Sequence, residues 1–135
     1  MKNDCVFCAI TVGEIPSFKV YEDDTVLAYL DINPCSKGHT LVIPKAHSAG
    51  LLDTSDETLA AVLARVKKVA AHLKEKLGCD GFNILQNNGA AAGQSVFHLH
   101  FHIVPRYAGG AALEFKSGKG DMAALKALGD ELRFA

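Results

Sequence analysis

Three of the chain's six histidines stand at positions 98, 100 and 102. In an extended strand successive side chains alternate between faces. This spacing therefore sets three imidazoles on one face, about 6.5–7 Å apart. Phe97, Leu99, Phe101 and Ile103 then point the other way, toward a core. Packing alone does not explain a row of imidazoles. Imidazole titrates near neutral pH and serves as nucleophile, acid or ligand, so three together suit either a metal site or phosphate chemistry. Directly upstream, Gly89-Ala90-Ala91-Ala92-Gly93-Gln94-Ser95 offers closely approachable backbone, amide donors and one hydroxyl, which reads as the wall of a phosphate pocket.

A second chemical feature is Cys5-Val6-Phe7-Cys8, two thiols at a spacing that suits tetrahedral zinc. The rival is a redox pair. That role needs the cysteines after a strand and at a helix start within a βαβ pattern, and only four residues precede Cys5. Zinc is the better reading and needs two further ligands. Cys35 and Cys79 belong to no pattern, and His72 falls within a helix as a surface residue.

The elements that must position these groups are legible. Phe18 to Glu22 and Thr25 to Asp31 read as a hairpin around Asp23-Asp24. His39 to Ile43 is a strand stopped by Pro44. Thr54-Ser55-Asp56-Glu57 is a capping-box pattern. Behind it Leu59, Val62, Leu63, Val66, Val69, Ala70, Leu73 and Leu77 recur at helical spacing, and Gly78 supplies a stop. Phe82 to Asn87 and Ser95 to Val104 are two further strands, the second ended by Pro105. Residues 108–120 are loop-like, and Asp121 to Phe134 forms a weaker helix carrying Met122, Leu125, Leu128 and Leu132. Strands served by one long helix point to an α+β fold with an antiparallel sheet.

Composition excludes several classes. The 135 residues suit one domain, and 49 % hydrophobic against 21 % charged residues argues against disorder. A net charge of −1 carries no signature of nucleic-acid binding. No apolar run approaches the roughly 20 residues of a membrane span, and no signal-peptide apolar region follows the N-terminus. The expectation is a cytoplasmic protein with no membrane partner and no disulfide framework.

The segment His98-Leu99-His100-Phe101-His102-Ile103-Val104 resembles the signature of the histidine-triad (HIT) family, His-φ-His-φ-His-φ-φ with φ apolar. Gly93 to Phe97 is similar to the nucleotide-binding Hint-type and bacterial branches. Tyr29-Leu30-Asp31-Ile32, Gly38 to Lys45 and Asn83 to Gly89 extend the resemblance from Cys5 to Tyr107. It implies a HIT-like fold over residues 1–107: a five-stranded antiparallel sheet, one long helix and a shorter C-terminal helix. Residues 108–135 would be a tail packing on the domain or on a dimer partner.

It also implies nucleotidyl transfer to water, with His100 attacking the α-phosphorus and a nucleoside monophosphate released from a nucleotidyl-imidazole. By position, His102, Asn87, Gly93, Gln94, Ser95 and His39 match phosphate and leaving-group contacts. Asp31 matches the carboxylate that accepts from the ribose hydroxyls. Val6, Phe7, Ile10, Tyr29 and Ile32 would line the nucleoside pocket. Cys5, Cys8, His47 and His98 match a structural zinc site with no open position. The implied substrate is an AMP-containing purine nucleotide, either a nucleoside phosphoramidate or a dinucleoside polyphosphate, and the implied assembly is a homodimer. Two other readings stand beside this one: a non-catalytic nucleotide-binding protein, and a metal-dependent hydrolase using the three histidines as ligands.

Overall fold

The computed structural model describes residues 2–135. Its order is α1 (Val6–Thr11), β1 (Lys19–Glu22), β2 (Val26–Leu30), β3 (Thr40–Pro44), α2 (Asp56–Leu77), β4 (Gly81–Leu85), β5 (Phe101–Arg106) and α3 (Met122–Leu132). The strands form one antiparallel sheet in the order β1-β2-β3-β5-β4. The expected α+β architecture is therefore the observed one.

Both faces of the sheet are covered, which explains why β2 and β3 are buried almost throughout. Val26, Ala28, Val42 and Ile103 pack against Val62, Val66, Val69, Ala70 and Leu73 of α2. On the opposite face Leu27, Tyr29, Leu41 and Ile43 pack against Phe7 and Ile10 of α1. The residue-by-residue alternation of strand side chains divides these two cores. No helix among the described residues is long and apolar enough to cross a membrane.

The cap of α2 sits one residue later than its sequence pattern. Ser55 is the N-cap and its hydroxyl accepts from the Thr58 amide at 3.1 Å. Thr54 instead donates to the Gly50 carbonyl at 2.7 Å. Gly78 ends the helix in the left-handed region at φ 65°, as its position predicted.

The histidine segment departs from a simple strand. Only residues 101–106 join the ladder, and β5 runs through Pro105 instead of stopping there. The ladder to β3 reaches no further than Val42↔Phe101. Two positions beyond Val42 the strand reaches Pro44, which has no amide to donate. The Pro44 carbonyl accepts from the His98 ring at 2.8 Å instead. Phe97, expected in the core, lies in the bend before this point and is 50 % exposed. Leu99 and Ile103 are fully buried, and Phe101 packs against the α2 core. The strand expected to reach Asn87 ends at Leu85.

Candidate active site and metal centre

A cavity of about 420 Å3 opens between α1, the end of β2 and the histidine segment. Its lining includes Val6, Phe7, Ile10, Tyr29, Asp31, Ile32, Ser95, His100 and His102. All five residues expected around a nucleoside are there, together with the carboxylate and two of the triad histidines. The volume is that of a small-ligand pocket. Sequence reasoning missed Ile15, Pro16 and Ser17, which follow α1 in an irregular stretch with no periodic signal. Leu41 was also missed. It pairs across the ladder with Tyr29, so strand alternation alone would have found it.

Hydrogen bonds fix the protonation of each imidazole. His100 Nδ1–H donates to the His98 carbonyl at 2.7 Å, which leaves its Nε2 as an unprotonated lone pair. His98 Nε2–H donates to the Pro44 carbonyl, which leaves its Nδ1 free to ligate. The Cys35 amide donates to His39 Nδ1 at 3.0 Å, so His39 carries its proton on Nε2. That proton is donated to His102 Nδ1 at 2.9 Å. His102 therefore keeps its own proton on Nε2. One segment thus holds a free ring lone pair at His100 and a fixed N–H donor at His102.

Burial keeps these rings neutral. It pushes His39, His98 and His100 below the usual imidazole range. Burial, with His100 and His39 as neighbours, pushes His102 down to about 4. Phe7 stacks edge-on against His100 at 5.0 Å, adding to its desolvation. Asp31 Oδ1 accepts from the Asn33 amide at 2.8 Å, and Oδ2 lies 3.6 Å from His39 Nε2. The carboxylate is thus oriented at the mouth of the cavity. Asp31, His39 and His102 also lie close enough to share a metal, but His39 Nε2 already carries a proton and has no lone pair to offer.

The glycine loop is used differently from its sequence reading. The amides of Ala92 and Gln94 bond the Gly89 carbonyl, and Gly93 bonds Ala90. Gln94 is buried, with Oε1 accepting from the Gly89 amide and Nε2 donating to the Ala49 and Val96 carbonyls. Gly93 and Gln94 therefore hold the loop, and Ser95 is the residue it presents to the cavity. Asn87 lies behind the loop beside Gly93, and His39 lies behind His102. Neither lines the cavity.

Cys5, Cys8, His47 and His98 converge on one point. Cys5 Sγ and Cys8 Sγ each lie 3.5 Å from His98 Nδ1. His47 Nδ1 lies 3.3 Å from both Cys8 Sγ and His98 Nδ1. Ligands on a tetrahedral zinc with ordinary Zn–S and Zn–N lengths stand about 3.3–3.8 Å apart, and these four separations match that spacing. Cys5 caps α1, and its sulfur accepts from the Cys8 amide.

The HIT domain profile matches residues 12–109. An uncharacterized HIT-like protein of Methanocaldococcus jannaschii is 56 % identical over 105 residues, covering 78 % of this chain and 81 % of its own. The adenosine 5'-monophosphoramidase hnt1 of Schizosaccharomyces pombe is 50 % identical over 102 residues, covering 76 % and 74 %. The crystal structure of SMU.412c from Streptococcus mutans superimposes with a TM-score of 0.92 at 45 % identity, over 98 % of this chain and 85 % of that one. A zinc-bound histidine triad family protein of Mycobacterium smegmatis does so with 0.77 at 43 %, over 95 % and 97 %.

Proposed function

This chain belongs to the HIT domain family, and we propose from that premise that it hydrolyses nucleoside 5'-phosphoramidates through a nucleotidyl-histidine intermediate. The observation that carries this reading is the tautomer of His100. Its Nδ1 proton is held by a backbone carbonyl and its Nε2 lone pair is free beside the cavity.

The nucleoside sits between Val6, Phe7, Ile10, Tyr29 and Ile32, with the ribose hydroxyls donating to Asp31. His100 Nε2 forms a bond to the α-phosphorus as the bond to the leaving amine breaks, the amine taking up a solvent proton that the attacking water returns in the second step. His102 Nε2–H donates to a phosphoryl oxygen and stabilises the charge there. Ser95 faces the leaving group. Water then attacks phosphorus, the P–N bond to His100 breaks, and the nucleoside monophosphate leaves. Zinc, held by Cys5, Cys8, His47 and His98, supplies a structural cross-link, because four protein ligands leave it no site for water. The phosphoramidase activity named for the S. pombe relative supports the substrate class.

The acting form is a homodimer. Strand β4 is a sheet edge, and its Phe82 and Ile84 are exposed beside Ala60, Leu63, Ala64 and Ala71 of α2. An open edge flanked by an apolar helix face is what sheet-to-sheet pairing covers.

Adenosine phosphoramidate and a diadenosine polyphosphate, given separately to wild type and to His100→Ala, test the chemistry. Wild type is expected to release AMP faster from the phosphoramidate, and the variant to lose both reactions. A variant equal to wild type would remove the covalent mechanism. A preference for the dinucleotide would move the substrate assignment to polyphosphates.

A further inference from the structure

Among the described residues, three side-chain oxygens are buried without a hydrogen-bond partner: the hydroxyls of Ser17, Tyr29 and Ser36. Two of them, Ser17 and Tyr29, belong to residues that line the cavity beside His100. A buried hydroxyl without a partner forfeits the hydrogen bonds it made to water in the unfolded chain. Folded proteins keep few such groups, and two in one cavity require a reason. Packing does not supply it. A phenylalanine at position 29 would keep the edge-on contact with the Phe7 ring at 6.0 Å, and an alanine at position 17 would bury no orphaned oxygen.

We propose that the hydroxyls of Ser17 and Tyr29 read the nucleobase, by hydrogen bonds to the nitrogen-bearing edge of a purine held between the cavity's apolar walls. The proposal rests on the nucleotide reading above and deepens it. Walls made by Phe7, Ile10, Ile15 and Ile32 can sandwich any base but cannot tell one from another. In small-ligand sites a few placed polar groups supply that discrimination. On the mechanism above, His100, His102 and Ser95 serve the phosphate side and Asp31 the ribose. The two orphaned hydroxyls remain for the base.

The backbone sets both beside the ribose anchor. Tyr29 precedes Asp31 by two residues, so their side chains leave one face of the chain. The Leu30 amide donates to the Phe18 carbonyl at 3.0 Å, and antiparallel continuation of that pairing runs Ser17 alongside Asp31. A base linked to a ribose at Asp31 therefore shares the cavity with both hydroxyls. The two differ in character. Tyr29 is 5 % exposed, and its ring is held in the core with Phe7, Leu27 and Leu41. Its hydroxyl is a fixed group. The Ser17 hydroxyl turns about a single bond and can donate or accept. Such a site rejects a wrong ligand by leaving its own buried groups unpaired.

The test is calorimetric binding of AMP to wild type, Ser17→Ala, Tyr29→Phe and Asp31→Asn, with Tm measured on each. Ser17→Ala and Tyr29→Phe are each expected to raise Kd about 3–10-fold while Tm stays level or rises. A purely structural hydroxyl would lower Tm. The titrations are repeated with purine riboside 5'-monophosphate, which lacks the 6-amino group, and with the 1-deaza, 3-deaza and 7-deaza analogues of AMP. Each hydroxyl's penalty is expected to vanish with the analogue lacking the atom it meets and to persist with 2'-deoxy-AMP. Penalties alike across the base series, or lost only with 2'-deoxy-AMP, overturn the proposal. Either variant binding AMP as wild type does overturns it too. If Asp31→Asn weakens AMP binding while Ser17→Ala and Tyr29→Phe do not, the nucleotide reading stands and base reading falls. Wild type that binds no AMP removes both.

Discussion

On the proposed mechanism the chemistry narrows to one nitrogen, His100 Nε2. His98, His100 and His102 share a segment and differ in which ring nitrogen carries the proton. The difference is set by backbone: the Pro44 and His98 carbonyls, and the Cys35 amide acting through His39. His39 is therefore a positioning residue. Replacing it with Phe removes the donor that pins His102 and is expected to lower kcat about 10–100-fold with KM little changed. Gln, which can donate from a similar position, is expected to restore part of the loss. An effect on KM alone would assign His39 to binding. The pH profile provides a second check. With His102 held down to about 4, against the ordinary 6.5, the ring stays neutral as pH falls from 7. Burial also holds the nucleophile His100 below the ordinary range, so the acid limb of kcat is expected to lie below pH 6.5. An acid limb centred on 6.5 would show that burial does not keep these rings neutral during turnover.

At the level of elements, the β1–β2 turn and α2 are joined by Asp23. Its carboxylate accepts from the Thr25 and Val26 amides, from Tyr21 Oη and from Arg65 Nε. Burial raises the Asp23 carboxyl, but these four bonds outweigh it and hold the group well below the usual carboxylate range. Asp23→Ala is expected to cost about 1–3 kcal/mol in denaturant unfolding at neutral pH. Because the folded-state value is depressed, wild type's advantage is full above the unfolded carboxylate range and shrinks as pH falls through the folded value. A constant difference down to strong acid would contradict the assignment. Gly38 is a second joint. It adopts φ +92° just before His39, and a Cβ there would overlap Leu77 Cδ1 of α2. Gly38→Ala is expected to lower Tm and to disturb the His39–His102 contact. Much of this level was legible in the sequence, because helix and strand periodicities survive without knowledge of partners. The α2 stripe, the hairpin and the core roles of Leu99 and Ile103 all follow from local pattern. What pattern did not carry was the premature end of the β3–β5 ladder, the outward turn of Phe97 and the internal use of the loop amides. Each depends on a contact between distant segments: Pro44 with His98, and Gln94 with Ala49.

At the scale of the whole molecule, the four-ligand cluster joins parts that no ladder connects. Cys5 and Cys8 belong to α1, His47 follows β3, and His98 precedes β5. The same short helix supplies Val6, Phe7 and Ile10 to the cavity. A metal there would hold one wall of the proposed nucleoside pocket, while the rings of His100 and His102 are held by the His98 carbonyl and by His39. On the proposed mechanism a metal at this cluster would be coupled to folding and to the pocket wall, with no part in the phosphoryl step. Removing zinc with a chelator, or replacing Cys8 with Ser, is expected to lower Tm and raise KM as α1 loosens, while kcat of the remaining folded protein stays within a few-fold of wild type. Tm and turnover measured on one sample decide between the structural reading and a metal hydrolase. If chelation abolished turnover at once with Tm unchanged, the metal would be catalytic and the free lone pair of His100 would not be the nucleophile.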